Sequence, residues 1–150
     1  MMTYNQFINR PLMLRTRIDH KIDDVAFKWS VCQNTTATIS ERVQTSPANT
    51  QETSYLRYIE AKKELDELCT KYDDVCDAVR DFLYGELTPD EASMMEWKYV
   101  QGKSAQEISA ITGITYDAAR ARLSRADRKA RKIFESSHIS QHEQNIVGTM

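Results

Sequence analysis

Residues 104–126, SAQEISAITGITYDAARARLSRA, contain two helix-forming segments separated by the short corner Gly113-Ile114-Thr115. Ser104 is followed three residues later by Glu107, which is the spacing of a capping box, and Thr115 is placed to cap the next helix. Gly113 suits the positive φ that is common just after a helix. Two capped helices joined by about three residues are typical of a helix-turn-helix.

A third helix is predicted immediately before this pair. Gly85 ends the preceding helical segment, and a new helix starts with Thr88 as the N-cap, Pro89 at the first position and Glu91 three residues after the cap. We therefore predict a three-helix domain over residues 87–135. Its helices run from Thr88 to about Gln101, from Ser104 to about Thr112 and from Thr115 to about Phe134. Its predicted core comprises Ala105, Ile108, Ile111, Ile114, Ala119, Leu123 and Ala126.

The last of these helices carries a strong positive charge in an acidic protein. The whole chain has a net charge of -2, whereas residues 116–133 contain seven Lys or Arg and two Asp. Such a cluster suits neutralisation of DNA phosphates. The first turn of the helix would enter the major groove, where Tyr116, Asp117 and Arg120 would contact base edges. The predicted DNA-binding residues are Lys103, Thr115, Tyr116, Asp117, Arg120, Arg122, Ser124, Arg125 and Arg128.

Residues 1–86 are predicted to form a helical coiled-coil or oligomerisation region. An apolar stripe runs from Leu14 to Cys32, and another runs from Tyr58 to Phe82 with alternating spacings of three and four. The two helices can pair as an antiparallel hairpin or with another copy of the chain. Pro11 is expected in the first turn of the first helix, with Asn9 or Arg10 near the cap, and a kink is the alternative.

Two polar stretches are predicted to lie outside the helices. Residues 33–54 are rich in Ser, Thr, Asn and Gln, which indicates a polar loop, and residues 136–150 are polar and aperiodic, which indicates a flexible tail. The predicted fold class is therefore all-α, with an N-terminal helical hairpin followed by a C-terminal helix-turn-helix domain.

The sequence contains no signature of catalysis or of cofactor binding. It has no nucleophile–base pattern and no glycine-rich phosphate loop. Its three cysteines form no CxxC pair, so we predict neither a zinc site nor any other cofactor. No apolar stretch is long enough for a membrane span. We therefore expect a cytoplasmic, non-enzymatic protein.

The helix-turn-helix segment resembles region 4 of the sigma-70 family. The matching positions are Ser104, Glu107, Ile108, Gly113, Ile114, Thr115, Arg120, Arg122, Leu123, Arg125 and Ala126. Ala119 departs from the family pattern, which has a larger aliphatic residue there. The resemblance implies binding to promoter -35 DNA and contact with RNA polymerase. The whole layout is also similar to that of small sigma-like regulators of phages and prophages of Gram-positive bacteria, including late-gene activators.

Three functions are compatible with these features. The first is a sequence-specific transcriptional regulator that binds double-stranded DNA and acts with the RNA polymerase of a bacterial host. The second is a DNA-packaging recognition subunit similar to a small terminase, and the third is a polymerase-binding adaptor without affinity for DNA. The sigma-like pattern favours the first. We also expect a homo-oligomer formed through the N-terminal helices, because one three-helix module offers a small interface for specific DNA binding.

Overall fold

The computed structural model describes the backbone of residues 2–41 and 47–148 and the side chains of residues 2–34 and 52–137. This part of the chain forms five α-helices and contains no strand. The helices are α1 (Tyr4–Glu41), α2 (Pro47–Glu86), α3 (Pro89–Tyr99), α4 (Ala105–Thr112) and α5 (Tyr116–Gly148). The prediction of an all-α protein with a C-terminal helix-turn-helix is confirmed.

The start of α1 differs from the prediction, because Thr3 caps the helix and Pro11 lies inside it. The Thr3 hydroxyl accepts a hydrogen bond from the Gln6 N–H at 3.2 Å, and the Gln6 side chain accepts one from the Thr3 N–H at 3.0 Å. This reciprocal pair satisfies two backbone donors of the first turn. Pro11 removes one helical hydrogen bond, to the carbonyl of Phe7, and its ring is buried. Burial of the apolar ring therefore partly offsets the cost of placing Pro11 inside a helix.

The predicted loop over residues 33–54 is wrong for residues 33–41 and 47–54, which are helical. α1 continues to Glu41 and α2 begins at Pro47, whereas residues 42–46 lie outside the described residues. The sequence contains no Gly or Pro between Pro11 and Pro47. Because adding a residue to an existing helix costs far less than nucleating one, polar residues without a helix breaker can continue the helix.

The last helix likewise extends further than predicted. α5 continues past Phe134 to Gly148, through most of the segment predicted as a tail. No Gly or Pro interrupts residues 114–147, so the same physical reason applies.

The chain divides into two compact units. Unit 1 comprises residues 1–12 and 74–150, and unit 2 comprises residues 13–73. α1 and α2 each contribute residues to both units. The boundary predicted at residue 86 follows helix breaks rather than contacts between helices, and it stays a prediction.

The first turns of α1 pack into the core of unit 1. The ring of Phe7 stacks on that of Phe134 with 5.1 Å between centroids, and it meets the edge of Phe82 at 5.5 Å. Tyr4 packs against Phe134 at 5.8 Å, and Ile8 is buried. These aromatic contacts join the start of α1, the end of α2 and α5, which lie far apart in the sequence.

Polar contacts hold α3 against the end of α2 in the same unit. The guanidinium of Arg80 donates to Glu96 at 2.9 Å, and the Tyr84 hydroxyl donates to the other oxygen of Glu96 at 2.6 Å. Leu83 and Met95 are fully buried beside this contact, at 0% exposure. Burial of these apolar side chains therefore stabilises the contact of α3 with α2 more than the partly exposed ion pair does. The ion pair contributes to the specificity of this contact.

Unit 2 is an antiparallel pair formed by parts of α1 and α2. Trp29 packs against Tyr58 with 4.8 Å between ring centroids, and Lys21 pairs with Glu64. Because residue numbers rise along α1 as they fall along α2, the two helices run in opposite directions. Of the two pairings that the sequence allows, the intrachain hairpin is present.

Candidate nucleic-acid interface

The helix-turn-helix corner has the backbone geometry that its sequence predicts. Gly113 follows α4 in the left-handed conformation with φ of 75°, and its N–H donates to the carbonyl of Ser109. The Ser109 hydroxyl donates to the carbonyl of Ile114 across the corner. The Thr115 hydroxyl then accepts from the Ala118 N–H at 3.2 Å and caps α5. The turn is therefore closed from both sides by hydrogen bonds.

The N-caps of the two preceding helices are present as well. Thr88 and Glu91 form a complete capping box at the start of α3. The Ser104 hydroxyl accepts from the Glu107 N–H at 3.2 Å and caps α4. The starts of α3, α4 and α5 thus coincide, to within one residue, with the capping residues predicted from the sequence.

A small apolar core fixes the crossing of α3, α4 and α5. Trp97, Ala105 and Ile114 are partly buried and pack against four buried residues, Met94, Ile108, Ala119 and Leu123. Ala119 and Ile108 are fully buried at 0% exposure. The small alanine therefore lies where α4 and α5 meet. Ile111 was predicted in this core, but it is 48% exposed because it lies on the solvent side of α4.

The structure places most of the predicted DNA-binding side chains in solvent. Lys103 is half-buried, and the other eight are exposed; these are Thr115, Tyr116, Asp117, Arg120, Arg122, Ser124, Arg125 and Arg128. The guanidinium of Arg120 lies over the ring of Tyr116, 5.6 Å from its centroid. Two residues predicted to read bases are thus in contact with each other in the free protein.

Five of the predicted residues line two separate concavities beside α5. Lys103, Arg120 and Ser124 line a concavity of about 350 Å³ together with Lys98 and Asp127. Arg122 and Arg125 line a second concavity of about 220 Å³ together with Asp90 and Glu91 of α3. Lys98 was not among the predicted residues, because nothing in the sequence brings the end of α3 close to α5.

Two of the basic residues of α5 are engaged within the protein. Lys129 pairs with Glu91 at 3.0 Å, and Arg131 donates to the side chain of Asn5 at 3.0 Å while lying over the ring of Tyr4. The hydrogen bond from the Thr88 hydroxyl lowers the pKa of the Glu91 carboxyl, and the contact with Lys129 lowers this pKa further. Lys129 and Arg131 are therefore less available to DNA than exposed arginines such as Arg128.

The described residues contain neither a metal-binding group nor a membrane-spanning helix. Among the side chains of residues 2–34 and 52–137, no group of three or more His, Cys, Asp or Glu could hold a metal ion. None of the helices, over the residues that the structure describes, is long and apolar enough to cross a membrane.

Comparison with known proteins agrees with this geometry. Residues 83–129 match the family model described as sigma-70, region 4. No curated protein and no solved structure matches the chain. The matched segment runs from the end of α2 into α5 and includes all nine predicted DNA-binding residues. This match indicates a DNA-binding regulator. Residues 83–129 thus form a sigma-70 region 4-like helix-turn-helix domain.

Proposed function

We propose that this protein is a sequence-specific regulator of transcription that binds double-stranded DNA through α5. The observation that carries the proposal is the set of exposed basic residues on α5, which follows a capped helix-turn-helix corner inside the sigma-70 region 4 match. A helix in this position of a helix-turn-helix enters the major groove with its first turns leading.

We assign base reading to Tyr116, Asp117 and Arg120, which occupy the first turns of α5. A guanidinium can bond both acceptors of a guanine edge, and the contact with Tyr116 limits the orientations that Arg120 samples. Arg122, Arg125 and Arg128 are exposed further along and would contact phosphates, and Lys103 would do so from the segment before α4.

The proposed partner in the cell is the RNA polymerase of a bacterial host, and the proposed location is the cytoplasm, where both DNA and polymerase lie. Support comes from the family match, since sigma-70 region 4 domains bind DNA and RNA polymerase. The layout of a helical N-terminal half joined to a region 4-like module further supports a phage or prophage origin.

We also propose that the protein acts as a homo-oligomer through unit 2. Several large apolar side chains of this hairpin face solvent, among them Phe27 at 67%, Met13 at 63% and Leu56 at 57% exposure. Of the described residues in this unit, only Leu14, Cys32 and Ala61 are buried apolar residues. A helix pair with so small a core gains stability when a second copy covers its apolar surface.

Selection from a random duplex library over a salt series tests the DNA-binding proposal. We expect wild type to select a motif and to lose affinity steeply as salt rises. Arg120→Ala should relax one motif position at a cost of about 1–3 kcal/mol, whereas Arg128→Ala should weaken all duplexes similarly and reduce the salt dependence. Arg57→Ala, an exposed arginine of unit 2, is the matched control and should leave binding unchanged.

Failure to capture any duplex at low salt would contradict the proposal. RNA polymerase alone would then be the partner to test, as expected for an adaptor. Ring-shaped assemblies that bind a packaging ATPase would instead indicate the DNA-packaging function.

A further inference from the structure

Asp127 of α5 is held by two phenols from different parts of the chain. The Tyr4 hydroxyl donates to its carboxylate at 2.8 Å, and the Tyr99 hydroxyl donates to the same oxygen at 3.1 Å. Tyr4 lies in the first turn of α1 and is 3% exposed, and Tyr99 is the last residue of α3. One carboxylate thus connects α5 with the start of α1 and with the end of α3.

The position of Asp127 on α5 relates this contact to the proposed DNA-reading residues. Asp127 follows Arg120 by seven residues and Ser124 by three, so all three share one side of the helix. They line the same concavity of about 350 Å³. Because a helix rotates as one body, whatever fixes Asp127 also fixes the orientation of the helix face that carries Arg120.

Further contacts strengthen the docking of the first turns of α1 on α5. Asn5 accepts a hydrogen bond from Arg131, which also lies 5.2 Å from the centroid of the Tyr4 ring. Phe7 stacks on Phe134 at the next turn of both helices. The docked surface therefore combines a hydrogen bond from an arginine, a hydrogen bond to a carboxylate and a stacked aromatic pair.

The chemistry of the phenols suits a permanent contact. Burial and the hydrogen bond to Asp127 raise the pKa of Tyr4, so its hydroxyl keeps the proton that it donates at neutral pH. A carboxylate on a helix that faces phosphates would oppose DNA binding. Tyr4 and Tyr99 both donate to one of the carboxylate oxygens of Asp127, which lines the concavity.

We propose that Tyr4 and Tyr99, through Asp127, position α5 for sequence-specific DNA reading. The first turns of α1 are then a functional part of the DNA-binding domain, although they lie outside the matched residues 83–129. Tyr4 and Asp127 are positioning residues that need not touch DNA. The inference rests on the proposed DNA-binding function.

The test compares Asp127→Asn with Asp127→Ala in the full chain. Both variants remove the same negative charge, so both gain equally in attraction to phosphates, but only Asn keeps an oxygen that accepts from the phenols. The probes are the duplex that wild type selects from a random library and an unrelated duplex of equal length. We expect Asp127→Ala to bind the selected duplex about tenfold more weakly than Asp127→Asn, with equal affinity for the unrelated duplex.

Tyr4→Phe gives a second, milder measurement, because it keeps the ring that packs on Phe134 and removes only the hydroxyl. We expect a loss of about five- to tenfold for the selected duplex and a relaxed preference at the base read by Arg120. Tyr55→Phe, at an exposed position of unit 2, is the control and should bind as wild type does.

The outcomes separate the two proposals. Wild-type affinity and motif in both Asp127→Ala and Tyr4→Phe would overturn the positioning role alone. An equal loss for both duplexes would also overturn it, because partial unfolding lowers all binding in proportion to the folded fraction. Absence of binding by wild type would overturn both the positioning role and the proposed function.

Discussion

At the scale of single residues, the phenols of Tyr4 and Tyr99 link the stability of unit 1 to pH. Burial, and then the charge of Asp127, raise the pKa of Tyr99 to about 12. The pKa of Tyr4 is also raised, by burial and by its hydrogen bond to the same carboxylate. In an unfolded chain both phenols titrate near pH 10. Folding therefore favours the protonated form of each.

This shift predicts a loss of stability in alkaline solution. Below about pH 10 both states keep the phenol protons, so the contribution is complete. Between about pH 10 and 12 the unfolded chain releases protons that the folded chain retains, so the free energy of unfolding falls as pH rises. Denaturant unfolding at pH 9 and pH 11 measures this fall, which we expect to be smaller in Tyr99→Phe than in wild type. An identical fall in both proteins would contradict the shift.

At the scale of elements, Gly85 and Gly113 both have open surroundings, but their backbone conformations differ. An added Cβ would meet no atom within 4 Å at either Gly85 or Gly113. Gly85 lies inside the last turn of α2, whereas Gly113 follows α4 with φ of 75°. Space is therefore equal at the two positions, and only the backbone conformation differs.

Replacement by alanine should consequently change stability in opposite directions. Gly85→Ala should stabilise the protein by roughly 0.5 kcal/mol, because alanine loses less backbone entropy in a helix. Gly113→Ala should destabilise it by about 1–2 kcal/mol, because an L-residue is strained in the left-handed region. Each variant is the control for the other, and chemical denaturation at neutral pH measures both. A change in the free energy of unfolding in the same direction for both variants would contradict this account.

For the whole molecule, the division into two units separates the proposed tasks of DNA binding and self-association. The capped corner and the basic residues of α5 belong to unit 1, and the exposed apolar side chains Phe27 and Leu56 belong to unit 2. An oligomer formed through unit 2 would carry two DNA-binding units and could engage two half-sites.

This arrangement predicts the mass of the protein in solution. At micromolar concentration we expect light scattering to give at least twice the chain mass of 17.3 kDa. Phe27→Glu should lower the mass towards that of one chain, because it buries a charge in the proposed contact. Gln33→Glu adds the same charge at another exposed position of α1 and should leave the mass unchanged. A wild-type mass of 17.3 kDa would contradict self-association.

The local signals of the sequence determined the helix-turn-helix domain. Thr88, Ser104 and Thr115 act on backbone groups three residues away, and Gly113 determines its own φ, so each can be recognised without knowledge of the fold. Periodicity also identified the buried residues of α5 from Ala119 to Ala126. Residues 33–41, 47–54 and 136–148 were misassigned because composition says little about where an existing helix stops.

The contacts of the first turns of α1 were decided by the tertiary structure alone. The contact of Tyr4 with Asp127 joins residues 123 positions apart. The same holds for Phe7 on Phe134 and for Lys98 beside Arg120. Caps and periodicity act within one or two helical turns, whereas these contacts depend on how the helices pack. The sequence therefore determined the helix-turn-helix, and the packing of the chain decided which residues contact its last helix.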